Sequence, residues 1–163
     1  MFNDDGERYC VFRQASHWYA FPATDVLQVA PVPHIVHVPD ADPVLAGLCH
    51  SRNEFLPVLR LHSLVGQLRA EDPSEQQLLV MRGSQGPWAL LVDRVSGLET
   101  LEVSLNYESS ASGDWAAAIT GSATLRKELV RVLDARRVYS LSESVLQSRW
   151  SNADSAPQEI SLH

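Results

Sequence analysis

The sequence has few of the residues that form covalent or metal cross-links. It contains two cysteines, Cys10 and Cys49, among 163 residues. Two cysteines so far apart form neither a CxxC redox pair nor a metal cluster. Each lies in an apolar, strand-like segment, so we expect two buried thiols rather than a disulfide. A chain of this length can bury a core large enough to fold without cross-links.

The sequence also lacks long apolar runs and a concentrated basic surface. No run reaches the length that spans a bilayer, and the first eight residues, MFNDDGER, contain no basic segment followed by an apolar one. We therefore expect a cytoplasmic protein with no direct membrane insertion. The formal net charge is −7, and Lys and Arg are scattered along the chain. Nucleic acid is not an expected partner, because phosphate binding needs a concentrated basic face.

One pattern of residues, by contrast, is present twice. Residues 11–26 (VFRQASHWYAFPATDV) and residues 80–95 (VMRGSQGPWALLVDRV) align without a gap. Four aligned positions are identical: Val11 with Val80, Arg13 with Arg82, Ala20 with Ala89, and Val26 with Val95. The repeat predicts two related β-subdomains, each half of the chain carrying a small barrel. The groove where the halves meet suits a helix or strand of another protein.

Apolar periodicity and turn residues place the two halves at about residues 9–66 and 78–134. The polar residues 67–77, interrupted by Pro73, are the expected connection between them. In the second half, strands are predicted at residues 78–82, 88–92, 95–103, 116–121 and 128–133.

The C-terminal part follows a helical period instead. Four apolar residues fall on one helical face: Val138, Leu141, Val145 and Leu146. They predict a helix over residues 135–148 that packs on the β-core. The polar residues 151–163 are expected to be disordered. Residues 1–150 are therefore interpreted as a single domain.

A further segment, residues 47–61 (GLCHSRNEFLPVLRL) followed by residues 64–66 (LVG), resembles the signature of CheW-like domains, commonly G-V-x-N-L-R-G-x-x-x-P-V-x-D-L…L-G. Any one such motif consists mostly of Gly, Pro and aliphatic residues and is weak evidence for a family. Together with five further segments in the family's order and at suitable spacing, it is specific for CheW-like domains. The resemblance covers about residues 8–145. The other five segments, in the family's order, are residues 9–12, 19–22, 26–29, 90–98 and 132–134.

The resemblance implies a mainly β fold of two five-stranded SH3-like barrels, related by a pseudo-two-fold axis and sharing a core, with a C-terminal helix. It also implies a non-enzymatic adaptor with no catalytic residues, no cofactor and no metal. Such proteins couple the cytoplasmic tip of methyl-accepting chemoreceptors to a CheA-type histidine kinase. They contact the kinase's own CheW-like regulatory domain in ring-like chemosensory arrays.

The resemblance further assigns surface residues to the two partners. Those that face the receptor are Val26, Gln28, Ala46 and Arg52. Those that contact the kinase are Asn53, Phe55 and Leu56. Arg52 either makes a bidentate bond to a receptor carboxylate or ties its own turn to a strand carbonyl. An apolar docking patch, of which about two members are expected to be exposed, is predicted at Val26, Leu48, Phe55 and Leu56.

The sequence departs from the family pattern around its arginine. His50, Ser51 and Asn53 stand where the family favours Asn, Leu and Gly. Arg60 stands where it favours Asp, and Gln28 replaces the usual acidic residue. Asn still permits a positive φ, so the turn is expected to persist, whereas an Asp-to-Arg change reverses a charge. We therefore hypothesise a specialised paralogue that serves one receptor class or an alternative chemosensory pathway.

Other functions find less support in the residues. His34 and His37 have no helix to hold them together and no third ligand nearby, so solvated histidines are expected rather than a metal site. Adjacent Ser and His residues occur at 16–17, 50–51 and 62–63, and such adjacency alone assigns no catalytic residue. The alternative to an adaptor is a small-molecule-binding double β-barrel, for which the sequence offers few convergent polar groups.

Overall fold

The computed structural model describes residues 7–65, 75–105 and 114–155. Most of the predicted connection between the halves therefore lies outside the described residues. The strands are β1 (Glu7–Gln14), β2 (His17–Pro22), β3 (Val26–Pro31), β4 (Leu45–Ser51), β5 (Glu54–Arg60), β6 (Gln77–Met81), β7 (Trp88–Val92), β8 (Arg94–Leu101), β9 (Ser104–Leu105), β10 (Ile119–Leu125) and β11 (Glu128–Leu133). The helices are α1 (Leu61–Leu64) and α2 (Ala135–Ser155), and short 3₁₀ turns occupy Ala23–Asp25 and Asp114–Ala118.

The described strands form two sheets that curl into barrels. The first barrel has the strand order β8-β1-β2-β11-β10-β9, and the second barrel has the order β3-β6-β7-β5-β4. In the second barrel, a bridge between Val36 and Leu48 joins the segment after β3 to β4. In the first barrel, β9 follows β8 and pairs with β10 in the corresponding way. The predicted fold class is confirmed, and β9 is the strand that the five-stranded expectation omitted.

Each barrel combines strands from both halves of the chain. The β1–β2 hairpin of the first half pairs with β8 and β11 of the second. The β6–β7 hairpin of the second half pairs with β3 and β5 of the first. The prediction that each half carries its own barrel is therefore wrong. An isolated hairpin is not stable in water, and here the strands that complete each repeated hairpin come from the other half.

The barrels pack on one another through a shared core, so many strands are buried on both faces. In β7, Ala89 and Leu91 face the interior of the second barrel. Trp88, Leu90 and Val92, on the opposite face of the same strand, belong to the shared core. Burial on both faces explains why this strand is a continuous apolar run rather than an alternating one.

Both cysteines are free and buried, as predicted. Cys10 lies in the shared core, and Cys49 lies in the interior of the second barrel. Burial raises the pKa of Cys10 to about 11, because the apolar surroundings disfavour the thiolate.

The hairpins β4–β5 and β10–β11 are two copies of one structure. Both residues of each turn have positive φ: 51° and 67° at residues 52–53, and 49° and 70° at residues 126–127. Two consecutive positive φ values are the feature of the type I′ turn, whose twist matches that of the flanking strands. Each hairpin also has a register shift beside a glycine, Gly47 and Gly121. The left-handed conformation predicted at Asn53 is confirmed.

The C-terminal part differs from the prediction at two places. The segment 114–118 is a 3₁₀ turn, and β10 begins only at Ile119. Residues 116–118 are three alanines, which lack the branched side chains that favour a strand. Helix α2 begins at Ala135 as predicted but continues to Ser155, so residues 151–155 are helical rather than disordered. None of the described helices is both long and apolar enough to cross a membrane.

Candidate partner-docking surfaces

The tip of the β4–β5 hairpin presents an exposed guanidinium. Arg52 is exposed and has no hydrogen bond or ion pair with any residue that the structure describes. The alternative in which Arg52 ties its turn to a strand carbonyl is therefore not formed within that part of the chain. Its counterpart in the second hairpin, Arg126, instead pairs with Glu99 at 3.0 Å between Nη2 and Oε2.

An aromatic pair lies beside this turn on the outside of the second barrel. His50 and Phe55 are partners across the hairpin, and their ring centroids are 5.1 Å apart. The Phe55 side chain is 63% exposed. Leu56, the next residue, points into the barrel and is only 2% exposed. Of the four residues in the predicted apolar patch, Phe55 is exposed, Leu56 is buried, and Val26 and Leu48 are half-buried.

Three of the four receptor-facing residues assigned by the resemblance lie on strands of the second barrel, and the fourth, Arg52, lies in the β4–β5 turn. Gln28 is exposed on β3, whereas Val26 packs partly on the shared core. Ala46 on β4 is 5% exposed and faces the barrel interior. β3 and β4 are the two end strands of this sheet, and Val36, in the segment that follows β3, forms a bridge to Leu48 of β4.

Two further side chains on β3 are exposed, and the sequence pattern does not predict either of them. Leu27 is 45% exposed and Val29 is 41% exposed. The register shift between Val26 and Gln28 interrupts the alternation of inward-facing and outward-facing side chains along β3. That alternation therefore does not predict that the Leu27 side chain is exposed.

An open groove of about 780 Å³ runs beside Phe55, between β5, the loop that joins β6 to β7, and the first turns of α2. Its apolar lining includes Phe55, Pro57 and Tyr139. Tyr139 packs against Trp88 with ring centroids 5.3 Å apart, so the α2 wall is anchored to the shared core.

The groove also carries four carboxylates and two guanidinium groups: Asp25, Glu54, Asp134 and Glu143 against Arg82 and Arg136. The Nε of Arg82 donates to the Thr24 carbonyl at 3.1 Å. Burial, and then the negative charge of Asp134, raise the pKa of Asp25, although Arg82 and Arg136 oppose the rise. The negative charge of Asp134 therefore disfavours the ionised form of Asp25 in the groove.

Asp134 has a structural role as well. Its Oδ1 accepts hydrogen bonds from the backbone N–H of Arg136 at 2.9 Å and of Arg137 at 3.2 Å. These bonds satisfy two of the amide groups that the first turn of α2 leaves without helical partners. The same carboxylate that caps the helix thus supplies negative charge to the groove.

Comparison with known proteins identifies the family. The model of the CheW-like domain matches residues 8–143. This chain belongs to the CheW-like domain family. A similar solved structure is that of the scaffolding protein TtCheW from Thermoanaerobacter tengcongensis, with a TM-score of 0.69 and 17% identity over 79% of this chain and 89% of that one. No curated protein sequence matches the chain. CheW-like proteins are non-enzymatic scaffolding proteins of chemotaxis signalling, and this chain shares that class.

One departure from the CheW-like pattern has a structural explanation. Arg60 donates from Nη1 to the Pro43 carbonyl at 2.7 Å and to the Leu45 carbonyl at 3.3 Å. These bonds fix the segment that leads into β4. An ionised aspartate has no donor and could not make these two hydrogen bonds.

In the part of the chain that the structure describes, the histidines and acids do not gather into a metal site. His34 and His37 are both exposed. Within residues 7–65, 75–105 and 114–155, no group of three or more His, Cys, Asp or Glu side chains is arranged to hold a metal ion.

Proposed function

We propose that this protein is a cytoplasmic adaptor that couples the tip of methyl-accepting chemoreceptors to the regulatory domain of a CheA-type histidine kinase. The observation that carries the proposal is that one hairpin of the second barrel exposes two chemically different groups. Arg52 presents a guanidinium that has no partner in the described part of the chain, and Phe55 presents an apolar ring. A guanidinium fits a carboxylate, whereas an exposed ring fits an apolar pocket.

The receptor side of the adaptor consists of Arg52 together with Val26 and Gln28 on β3. The exposed neighbours Leu27 and Val29 enlarge the apolar part of this surface. Ala46 belongs to the same strand system but faces the interior, so its role is to support the position of β4 rather than to touch the receptor.

The kinase side consists of Asn53 and Phe55. Leu56 does not touch the kinase in this proposal. It packs inside the second barrel and fixes the orientation of β5, which carries Phe55. Since Phe55 and Leu56 are adjacent on a strand, one anchors the hairpin while the other faces the partner.

The proposal is tested by binding measurements with separate fragments. A soluble receptor-tip fragment and the regulatory domain of a CheA-type kinase from the same organism are each titrated against the purified chain by isothermal calorimetry. The adaptor function predicts that both fragments bind. Binding of neither fragment would contradict it, and stabilisation of the chain by a small metabolite instead would favour the alternative of a ligand-binding double barrel.

The finer hypothesis is that the adaptor is a specialised paralogue for one receptor class. His50 supports it, because this departure from the family pattern lies directly beside Phe55 on the proposed kinase surface. Titration against receptor tips of several classes tests it. Specialisation predicts that one class binds at least roughly tenfold more tightly than the others, and equal binding to all classes would refute it.

A further inference from the structure

The groove beside Phe55 continues the proposed kinase surface. Phe55 belongs to both, with its ring exposed at the groove wall. The groove is bordered by β5 and by α2, whose Tyr139 packs on Trp88. A partner that covers Phe55 therefore also meets the charged lining of the groove.

The charges of the groove are not balanced. Glu54 on β5 and Glu143 on α2 both line the groove, are exposed and have no ion-pair partner among the described residues. Asp134 is held by the start of α2 and lies 3.9 Å from Arg137, measured from Oδ2 to Nε. Asp25 and Asp134 both line the groove, and the pKa of Asp25 is raised first by burial and then by the negative charge of Asp134. Positive charge from a partner would offset this negative charge and pair the two glutamates.

We propose that this groove binds a segment of the kinase regulatory domain that carries Lys or Arg side chains beside an apolar residue. The apolar residue covers Phe55, and the basic side chains lie between Glu54 and Glu143. The inference rests on the proposed adaptor function and adds to it the chemistry of the kinase-side partner. An acidic or phosphorylated segment does not fit, because it would add to the negative charge of the groove.

The repeated hairpin supplies a matched control for the test. Glu128 begins β11 as Glu54 begins β5, and both side chains are exposed. Glu128 does not line the groove. The variants Glu54→Lys and Glu143→Lys therefore reverse a charge inside the groove, and Glu128→Lys reverses the same charge at the equivalent position outside it.

The affinity of each full-length variant for the kinase regulatory domain and for the receptor-tip fragment is measured by calorimetry at two salt concentrations. We expect Glu54→Lys and Glu143→Lys each to weaken kinase binding roughly tenfold and to reduce its salt dependence. Glu128→Lys should bind as the unmodified chain does, and receptor binding should stay unchanged in all three variants. Circular dichroism confirms that each variant is folded.

The outcomes separate this inference from the proposed function. If the unmodified chain binds no kinase domain, the adaptor function itself fails. If it binds and the groove variants match Glu128→Lys, the adaptor function stands and the basic-segment inference is overturned. Tighter kinase binding by Glu54→Lys would also overturn it, since that result would indicate an acidic partner segment.

Discussion

Phe55 and Leu129 lie at the same place in two copies of one hairpin, and both are exposed, at 63% and 51%. Each is the second residue of the strand that follows a type I′ turn. The copies differ in their surroundings: Phe55 borders the charged groove, whereas Leu129 does not. Because this hairpin is repeated, each proposed contact on β4–β5 has a structural counterpart on β10–β11 that can serve as its control.

Replacement of Phe55 tests the kinase surface. Phe55→Ser should weaken binding of the kinase regulatory domain by about 2 kcal/mol, roughly thirtyfold in Kd, because an exposed aromatic ring at an interface centre acts as an anchor. Leu129→Ser removes a similarly exposed apolar side chain and should leave kinase binding unchanged. Calorimetric titration measures both. Equal losses in the two variants would mean that neither position is a specific contact.

Replacement of Arg52 tests the receptor surface. Arg52→Glu should lower the affinity for the receptor-tip fragment at least roughly tenfold, because the guanidinium is replaced by a charge that repels a receptor carboxylate. Its thermal midpoint should stay the same, since Arg52 makes no hydrogen bond or ion pair with the residues described.

The control for Arg52 is Arg126→Glu, which removes the ion pair with Glu99. Loss of this surface pair should cost at most about 1 kcal/mol of stability and leave receptor binding intact. The receptor assignment fails if Arg52→Glu lowers the thermal midpoint while its receptor affinity is retained.

Gly47 tests how the second barrel closes. It has φ of 147°, and a Cβ at this position would collide with the carbonyl oxygen of Val36, which takes part in the bridge to Leu48. Gly97 has a similar φ of 142°, but a Cβ there would meet nothing within 4 Å. Gly97→Ala should therefore cost about 1–3 kcal/mol from backbone strain alone.

Gly47→Ala carries the same strain and also disrupts the closing bridge. Its free energy of unfolding, measured by urea denaturation, should fall below that of Gly97→Ala by at least about 1 kcal/mol. Similar stabilities for the two variants would show that the approach of Val36 to β4 does not contribute to the closure of the barrel.

We expect the raised pKa of Asp25 to make the stability of the protein depend on pH. The pKa of Asp25 is raised in the folded protein, first by burial and then by Asp134. The folded protein therefore favours the protonated form of Asp25. The stability that this protonated carboxyl contributes is lost as the pH rises from the pKa of Asp25 in the unfolded chain through its raised pKa in the folded protein. Asp134→Asn keeps a side chain that caps helices well but removes the negative charge.

In Asp134→Asn, the pKa of Asp25 should fall and the loss of stability over this acidic interval should shrink. Carboxyl-detected NMR titration gives the pKa, and thermal unfolding across the interval gives the stability. Asp25→Asn should remove the pH dependence that Asp25 contributes. If the pKa of Asp25 is the same in the Asp134→Asn variant as in the unmodified chain, the two carboxylates do not repel each other across the groove.

Local features of the fold follow well from the sequence. Turn chemistry and apolar periodicity predict the left-handed turn at Asn53, the start of α2 at Ala135 and the burial of both cysteines. Each depends on a few neighbouring residues. The repeat also identifies the related hairpins, because their strands and turns have the same local requirements.

The exchange of strands between the halves cannot be predicted in this way. The parallel pairing of Val58 with Ala89 joins β5 to β7 across a long stretch of chain, and no local pattern selects that partner over one in the same half. The exposure of single side chains is harder to predict from sequence. Phe55 and Leu56 are adjacent apolar residues, and which of them is buried depends on which face of β5 points into the barrel. The charged groove draws its lining from several elements that are distant in sequence, so no local pattern indicates it.

An adaptor of this kind must hold a receptor and a kinase at the same time through different surfaces. The chain is mixed with the receptor-tip fragment and the kinase regulatory domain, and the mass of the complex is determined by size-exclusion chromatography with light scattering. We expect one complex that contains all three components, with the kinase domain lost in Phe55→Ser and the receptor fragment lost in Arg52→Glu. Displacement of one partner by the other would contradict it.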